Sequence, residues 1–349
     1  MNIHYLSCHY TKNHRGQLFP FLKPFIKSNH FTDHERKEIY QVSETEVEFV
    51  TNIKAADICI LTMSWNYYVE YNLLDKAKQY ILEANAKGKR VWSWMSGDFG
   101  VDLKLEADYL VFRNSGHKSQ LSKQHIGMPV FISDPLQKIY KTSELHLPDY
   151  DYKPVVGFCG QANSSAKQIL KEYVIRINYM LKFKFGQTKT SPQPIQSTSL
   201  LRAQLLDRLE ASKEVTTNFI RREKYRAGVT KHKDNHKTTQ EFYDNIKDSH
   251  YVICVRGGGN FSVRFYEIVA MGRIPVFVNT DCLLPLETKI DWKKHCVWVD
   301  FKDRGKVSEK VKAFHEAHSQ ESLYSLMQAN RKLWENNLRN GNFFKNSIL

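Results

Sequence analysis

An α/β fold of two Rossmann-like domains facing a cleft is predicted for this chain, on three observations. Short apolar runs alternate with helix-period segments. The alternation stops at a polar stretch, 149–154, and then restarts. At 349 residues the chain is long for one core and comfortable for two.

In the first part, strands are predicted at 3–6, 47–50, 58–61, 91–94, 109–112 and 130–132. Residues 71–87 place Leu74, Ala77, Ile81 and Ala84 on one helical face, and Gly88 stops that helix. The tyrosine- and proline-bearing stretch 149–154 reads as a linker. Beyond it, a strand at 155–159 runs into Gly160, Gln161, Ala162 and Asn163. A helix follows at about 165–182, then a turn-rich connector at 186–199 and a helix near 200–211. A strand at 215–220 ends at Arg221 and Arg222. Residues 224–237 are basic and polar, and are expected to be mobile. A helix is predicted at about 239–248, and the last elements are a strand at 297–299 and two helical segments to about 338. The expected domains are 1–150 and 151–325. A helical tail, 326–349, is expected to pack back on the first domain.

The segment 251–278, YVICVRGGGNFSVRFYEIVAMGRIPVFV, is the most informative. An apolar run ends at Arg256. Gly257, Gly258 and Gly259 follow, then Asn260 and Ser262 open an amphipathic helix that Gly272 ends, before a second apolar run. Strand, glycine turn and helix N-terminus together offer bare backbone N–H groups to a phosphate. Glycine permits positive φ there and has no Cβ to hold a phosphate away. Arg256 and Arg264 add charge-assisted donors. A cation in a helix's first turn opposes the macrodipole, which itself suggests an anionic partner for Arg264. The spacing is neither GxGxxG nor GxxxxGK[ST], so neither a nicotinamide nor an ATP site is the natural reading. The bland alternatives are a tight turn at the glycines, a surface cation at Arg264 and an N-cap at Ser262. Glu267, three residues after Arg264, has a surface ion pair as its own.

In an open parallel sheet, ligands sit beyond the carboxyl ends of the strands. Those ends in the second part carry Gly160 to Asn163, Arg221 and Arg222, Arg256 with the glycines, and Asn279 to Asp281. Neighbouring residues on an extended chain point oppositely, so only one of Arg221 and Arg222 is expected to face a ligand. Asp291 reads as a helix N-cap and Trp292 as packing.

CVRGGGNFSVRFYEIVAMGRIPVFV, with DCLLPLETKIDW after it, resembles the donor-binding half of exostosin-like glycosyltransferases. The matching positions are Arg256, Gly257, Ser262, Arg264, Phe265, Glu267, Gly272, Ile274, Pro275, Val276, Leu284, Pro285, Asp291 and Trp292. The likeness covers roughly 239–300, about one sixth of the chain. It implies a GT-B fold and inverting transfer of a sugar from a nucleotide diphosphate donor, UDP-sugar first. The acceptor would be a glycan or lipid-linked glycan in polysaccharide synthesis. It also implies that Glu267 holds ribose hydroxyls, and that Arg256, Arg264, the glycine N–H groups and the helix dipole stabilise the leaving diphosphate. A fucosyltransferase-like enzyme using a GDP-sugar is one alternative, although its Glu-Lys-hydrophobic motif is missing. A non-catalytic nucleotide-sugar or glycan-binding protein is the other.

For the first domain, Asp98 in WMSGDFG is the candidate general base, against a turn Asp that satisfies its own backbone. His9 and His4 are the alternatives, and Arg113 is a candidate acceptor contact. No metal or other cofactor is expected: no DxD stands at a strand end, and the site is rich in cations. Six scattered cysteines read as buried apolar residues in a reducing compartment. The one close histidine pair, His232 and His236, reads as loop.

Net charge is +14 and pI about 9.3, which suits anionic partners. No nucleic-acid-binding motif is visible, so nucleic acid is not an expected partner. No apolar run reaches 18 residues, and the apolar start 3–6 is too short for a signal-peptide core. Animal exostosins carry a membrane anchor. The expectation here is a cytoplasmic enzyme, with peripheral contact to an anionic inner membrane face as an option.

Overall fold

The computed structural model describes residues 1–26, 31–103, 105–162, 165–223 and 235–348. Asn163, His232 and most of 224–237 lie outside the described residues. Two sheets form, each parallel throughout. The first contains β1 (Asn2–Tyr5), β2 (Glu48–Phe49), β3 (Ile58–Ile60), β4 (Val91–Met95), β5 (Tyr109–Arg113) and β6 (His125–Gly127), in the order β2-β1-β3-β4-β5-β6. The second contains β7 (Val155–Gln161), β8 (Thr216–Arg222), β9 (Tyr251–Cys254), β10 (Ile274–Asn279) and β11 (Val297–Asp300), in the order β11-β10-β9-β7-β8. Helices or longer loops make the crossovers that parallel pairing requires. The central strands β3, β4 and β9 are buried at every residue, which is why they read as continuous apolar runs.

The helix Leu74–Ala86 buries Ala77, Tyr80, Ile81 and Ala84, and the chain turns at Gly88 with φ 71°. One element lies elsewhere than the sequence suggests. The strand beside β5 is His125–Gly127, whereas 130–132 is not in the ladder. Pro129 lacks an N–H for strand pairing, and Phe131 turns to an aromatic cluster, with ring centroids 5.9 Å from Phe343 and 5.8 Å from Phe344.

That cluster is where the chain's end meets its beginning. The helix Asn340–Ser347 places Phe344 within 5.3 Å of Phe19, 5.2 Å of Phe21 and 5.4 Å of Phe112, ring centre to ring centre. Upstream, Arg331 grips Asp134 through Nη1 at 2.9 Å and Nη2 at 2.5 Å. The same guanidinium donates to the Ala270 carbonyl at 2.7 Å. One buried apolar cluster therefore runs from the first sheet through Val252, Cys254 and Phe265 to Trp334 and Phe344. A second fills the far side of the second sheet around Leu205, Ile253, Val276 and Met327. No described helix is long and apolar enough to cross a membrane.

Phe344 is fully buried among rings, so Phe344→Ala should cost about 3–5 kcal/mol in urea unfolding. A loss below about 1 kcal/mol would mean that the terminal helix contributes little to the first sheet's core.

Candidate functional site

Strand order alone points to a place. In the second sheet the winding direction reverses between β7 and β9, and a crevice opens beyond the carboxyl ends at such a reversal. The end of β7 is Gly160 and Gln161; the end of β9 runs into Arg256 and the three glycines. The carboxyl ends of β4 and β5 come up against this turn from the first sheet, bringing Asp98 and Ser115. The two sheets thus meet at their carboxyl edges, the GT-B arrangement.

Asn260 holds the two edges together. Its Nδ2 lies 3.0 Å from the Gly116 carbonyl, 2.9 Å from that of Thr280 and 3.0 Å from that of Asp281. Thr280 Oγ1 donates to Asn260 Oδ1 at 2.6 Å, and the Asn260 N–H donates to Ser115 Oγ at 2.8 Å. Asp281, at φ 64°, accepts from Ser119 Oγ at 2.6 Å and extends the seam.

The glycines serve a purpose other than the predicted backbone freedom. None of Gly257, Gly258 or Gly259 has positive φ. What Gly259 needs is room. A Cβ there would sit 2.5 Å from the Asp98 carbonyl oxygen and 2.8 Å from Ser115 Oγ. One on Gly258 would lie 2.9 Å from Asp98 Oδ2, whereas one on Gly257 would find nothing nearer than 3.8 Å. The N–H groups of Gly257 and Asn260 are already engaged, by the Phe261 carbonyl at 3.0 Å and by Ser115. Gly258 and Asp98 are both exposed, so their close approach lies at the solvent-facing mouth of the crevice.

Around this point cations gather, with the carboxylates of Asp98 and Glu172 near them but not paired to them. Arg256 is buried. Its Nη2 donates to Gln193 Oε1 at 2.7 Å, its Nη1 lies 3.5 Å from His117 Nε2, and its Nε has no partner. Arg176 reaches in from the helix Ala166–Lys184 and donates to the Gly258 carbonyl at 3.0 Å. Arg113 is buried at the end of β5, its Nε bonded to the Ser115 carbonyl. Burial pulls Arg113 and Arg256 down to about 10 each, and Arg176 beside Arg256 adds to the effect there. Burial and Arg256 together hold His117 below the ordinary histidine range. A second group lies at the end of β7. Arg264 Nη2 donates to the Cys159 carbonyl at 2.7 Å, its guanidinium lies 4.3 Å from the Phe158 ring centre, and its buried Nε is unpartnered. Arg202 donates to the Gln161 carbonyl at 2.8 Å, and burial, with Arg264 next to it, brings it to about 10. Among the described residues none of these five guanidiniums makes an ion pair with a carboxylate. Arg273 is different: it is equally buried, but carbonyls of Lys247 and His146 at 2.7 Å satisfy it.

Other residues singled out from the sequence lie as follows. Arg221 pairs with Asp207 at 2.6 Å and Glu210 at 2.7 Å, while Arg222, pointing oppositely, pairs with Glu241. Ser262 and Asp291 stand at N-cap positions but make no cap hydrogen bond. Glu267 accepts from the Tyr243 hydroxyl at 3.3 Å. His4 and His9 are tied to Tyr80 and Tyr68 at 2.9 and 2.8 Å. Arg176, Arg202, His117, Gln193 and Ser115 were not foreseen. They sit in an ordinary-looking helix, in connectors and in the other domain, and only the fold brings them to the glycine turn. Among the described residues no group of three or more His, Cys, Asp or Glu is placed to hold a metal ion.

The glycine geometry separates packing from ligand approach. Gly259→Ala should destabilise by about 1–3 kcal/mol through overpacking against Asp98 and Ser115. Gly257→Ala should stay within about 0.5 kcal/mol of wild type. Equal losses in chemical denaturation would contradict this assignment.

Residues 178–314 match the family described as Exostosin GT47 domain. Exostosin-1 of Drosophila melanogaster is 31% identical over 103 residues, which is 29% of this chain and 13% of that protein. The chain therefore spans only a small part of that relative's length. A solved structure of an S. aureus TarM mutant, in complex with fondaparinux, alpha-GlcNAc-glycerol and UDP, aligns with 83% of this chain and 54% of its own at 8% identity. Its TM-score is 0.34, too low to carry weight. The matched segment holds the whole glycine turn, Arg202, Arg256 and Arg264. By that match, residues 178–314 are similar to the exostosin GT47 domain of glycosyltransferases.

Proposed function

We propose that this protein transfers a sugar, with inversion, from a nucleotide diphosphate donor to a glycan or lipid-linked glycan, with a UDP-sugar as the favoured donor. The observation that carries this reading is the set of buried or half-buried arginines, unpaired with any carboxylate, at the crevice the strand order creates. Burying a charge without a counter-charge is costly, so such a set is best explained by a multiply charged anion that binds there. A diphosphate at the β9 turn would receive Arg256 and Arg176 from one side, with the group around Arg264 and Arg202 at the end of β7.

In the transfer step the acceptor hydroxyl oxygen attacks the anomeric carbon as its proton passes to the Asp98 carboxylate. The bond from the anomeric carbon to the phosphate oxygen breaks, and its electron pair leaves with the nucleotide diphosphate. Negative charge grows on that leaving group, where Arg256 and its neighbours are already fixed and desolvated. Their charge can supply the neutralisation that a divalent ion gives in other transferases, so turnover should persist in EDTA. Asp98 suits the base role because it is exposed, lies across from Gly258, and belongs to the opposite sheet, where an acceptor would enter.

Two variants test the reading. Arg256→Ala should weaken UDP binding at least about tenfold by calorimetry, the loss of one charge-assisted contact. Asp98→Asn should keep UDP affinity and lower turnover by about 10²–10⁴. Unchanged UDP affinity in Arg256→Ala would sink the donor site, and near wild-type turnover in Asp98→Asn would remove the base.

A further inference from the structure

The helix Ala166–Lys184 runs for nineteen residues, and none of them is buried. Its inner side makes three attachments. Glu172 accepts from Ser197 Oγ at 2.9 Å, Arg176 reaches Gly258, and Tyr179 meets the Phe99 ring at 6.0 Å. The side opposite Glu172 and Arg176 should be polar, and it is not. Leu170, Val174, Ile177 and Leu181 follow one another at i, i+4, i+7 and i+11, within about 60° of arc at 100° per residue. Leu170 is 65% exposed and Val174 55%. Phe185, just past the helix end, continues the line at 71%. The stripe runs for about 22 Å along the helix. Scattered exposed apolar residues need no explanation, but an aligned row on the outward face of a helix does.

The spacing would also suit a coiled-coil seam with a second copy of this chain. The flanking charges decide against it. Lys167, Lys171, Lys182 and Lys184 border the stripe, and the helix's one acid, Glu172, is turned inward. Pairing two such helices would set lysine against lysine in either orientation. An anionic lipid surface accepts both features at once. Leucine, isoleucine and phenylalanine enter the headgroup boundary while lysines meet the anionic headgroups.

We infer that the outward face of the helix Ala166–Lys184, with Phe185, seats the protein on an anionic membrane surface. The same helix reaches the glycine turn through Arg176 and the Asp98 loop through Tyr179, so seating it fixes the cleft at a set height over the lipid. That consequence rests on the transferase reading, with a lipid-linked acceptor; the docking itself does not.

The test is cosedimentation of the full chain with equimolar phosphatidylglycerol–phosphatidylcholine vesicles and with phosphatidylcholine vesicles, at low and high salt. Wild type should bind the anionic vesicles, lose much of that binding in high salt, and bind phosphatidylcholine weakly. L170S with L181S should lower the vesicle partition coefficient at least about tenfold, since burying one leucine is worth at least that factor. UDP affinity in vesicle-free solution, measured on the same proteins, should not change. No binding of wild type to anionic vesicles, or equal binding by the double variant, would overturn the inference and leave the donor site untouched. So would a dimer in analytical ultracentrifugation that the double variant dissolves, because the stripe would then be a seam between copies.

Discussion

Asn260 is a short side chain whose amide answers three carbonyls at once, while its own oxygen takes the Thr280 hydroxyl and its backbone N–H reaches Ser115. The carbonyls lie in the loops just beyond β5 and β10, so one fully buried residue ties both sheets at their carboxyl edges. Each of those polar groups would carry a desolvation cost of about 1–3 kcal/mol if left without a partner. Everything at the crevice follows from this fixation. It presses Gly259 against the Asp98 backbone, sets Asp98 opposite Gly258, and brings His117 within 3.5 Å of Arg256.

Electrostatics adds a second constraint. The protein makes ion pairs readily elsewhere, as at Arg331 with Asp134 and Arg221 with Asp207. It buries Arg273 by surrounding it with carbonyls. At the crevice the described residues form no such ion pair, and carbonyls satisfy the guanidiniums only in part: Arg256 and Arg264 each keep a buried Nε without a partner. A fold that solves the same problem more fully at other positions than here is what the proposed anionic donor calls for. The overall charge of +14 attracts such a ligand at a distance but does not choose the place.

Much of this architecture was legible in the sequence, because parallel strands buried on both faces leave unmistakable apolar runs. The run 130–132 misled because periodicity does not tell a strand from a segment recruited to a packing cluster, here the one built by Phe343 and Phe344. The glycine turn was legible as a site, but the physical role of Gly259 was not. Close approach by Asp98 and Ser115 is a contact between positions more than a hundred residues apart, which no local pattern encodes. Arg176 was hidden for the same reason. On the helical wheel it is one cation among several, and only the docking of its helix aims it at Gly258.

The central claim is that the unpaired arginines at the junction of the two sheets await a diphosphate. A crystal structure of the protein soaked with UDP tests it most directly. The account predicts phosphate oxygens beside the β9 glycine turn, within hydrogen-bond reach of Arg256. A UDP bound elsewhere, with the Arg256 guanidinium unchanged and still without an anionic partner, would contradict it.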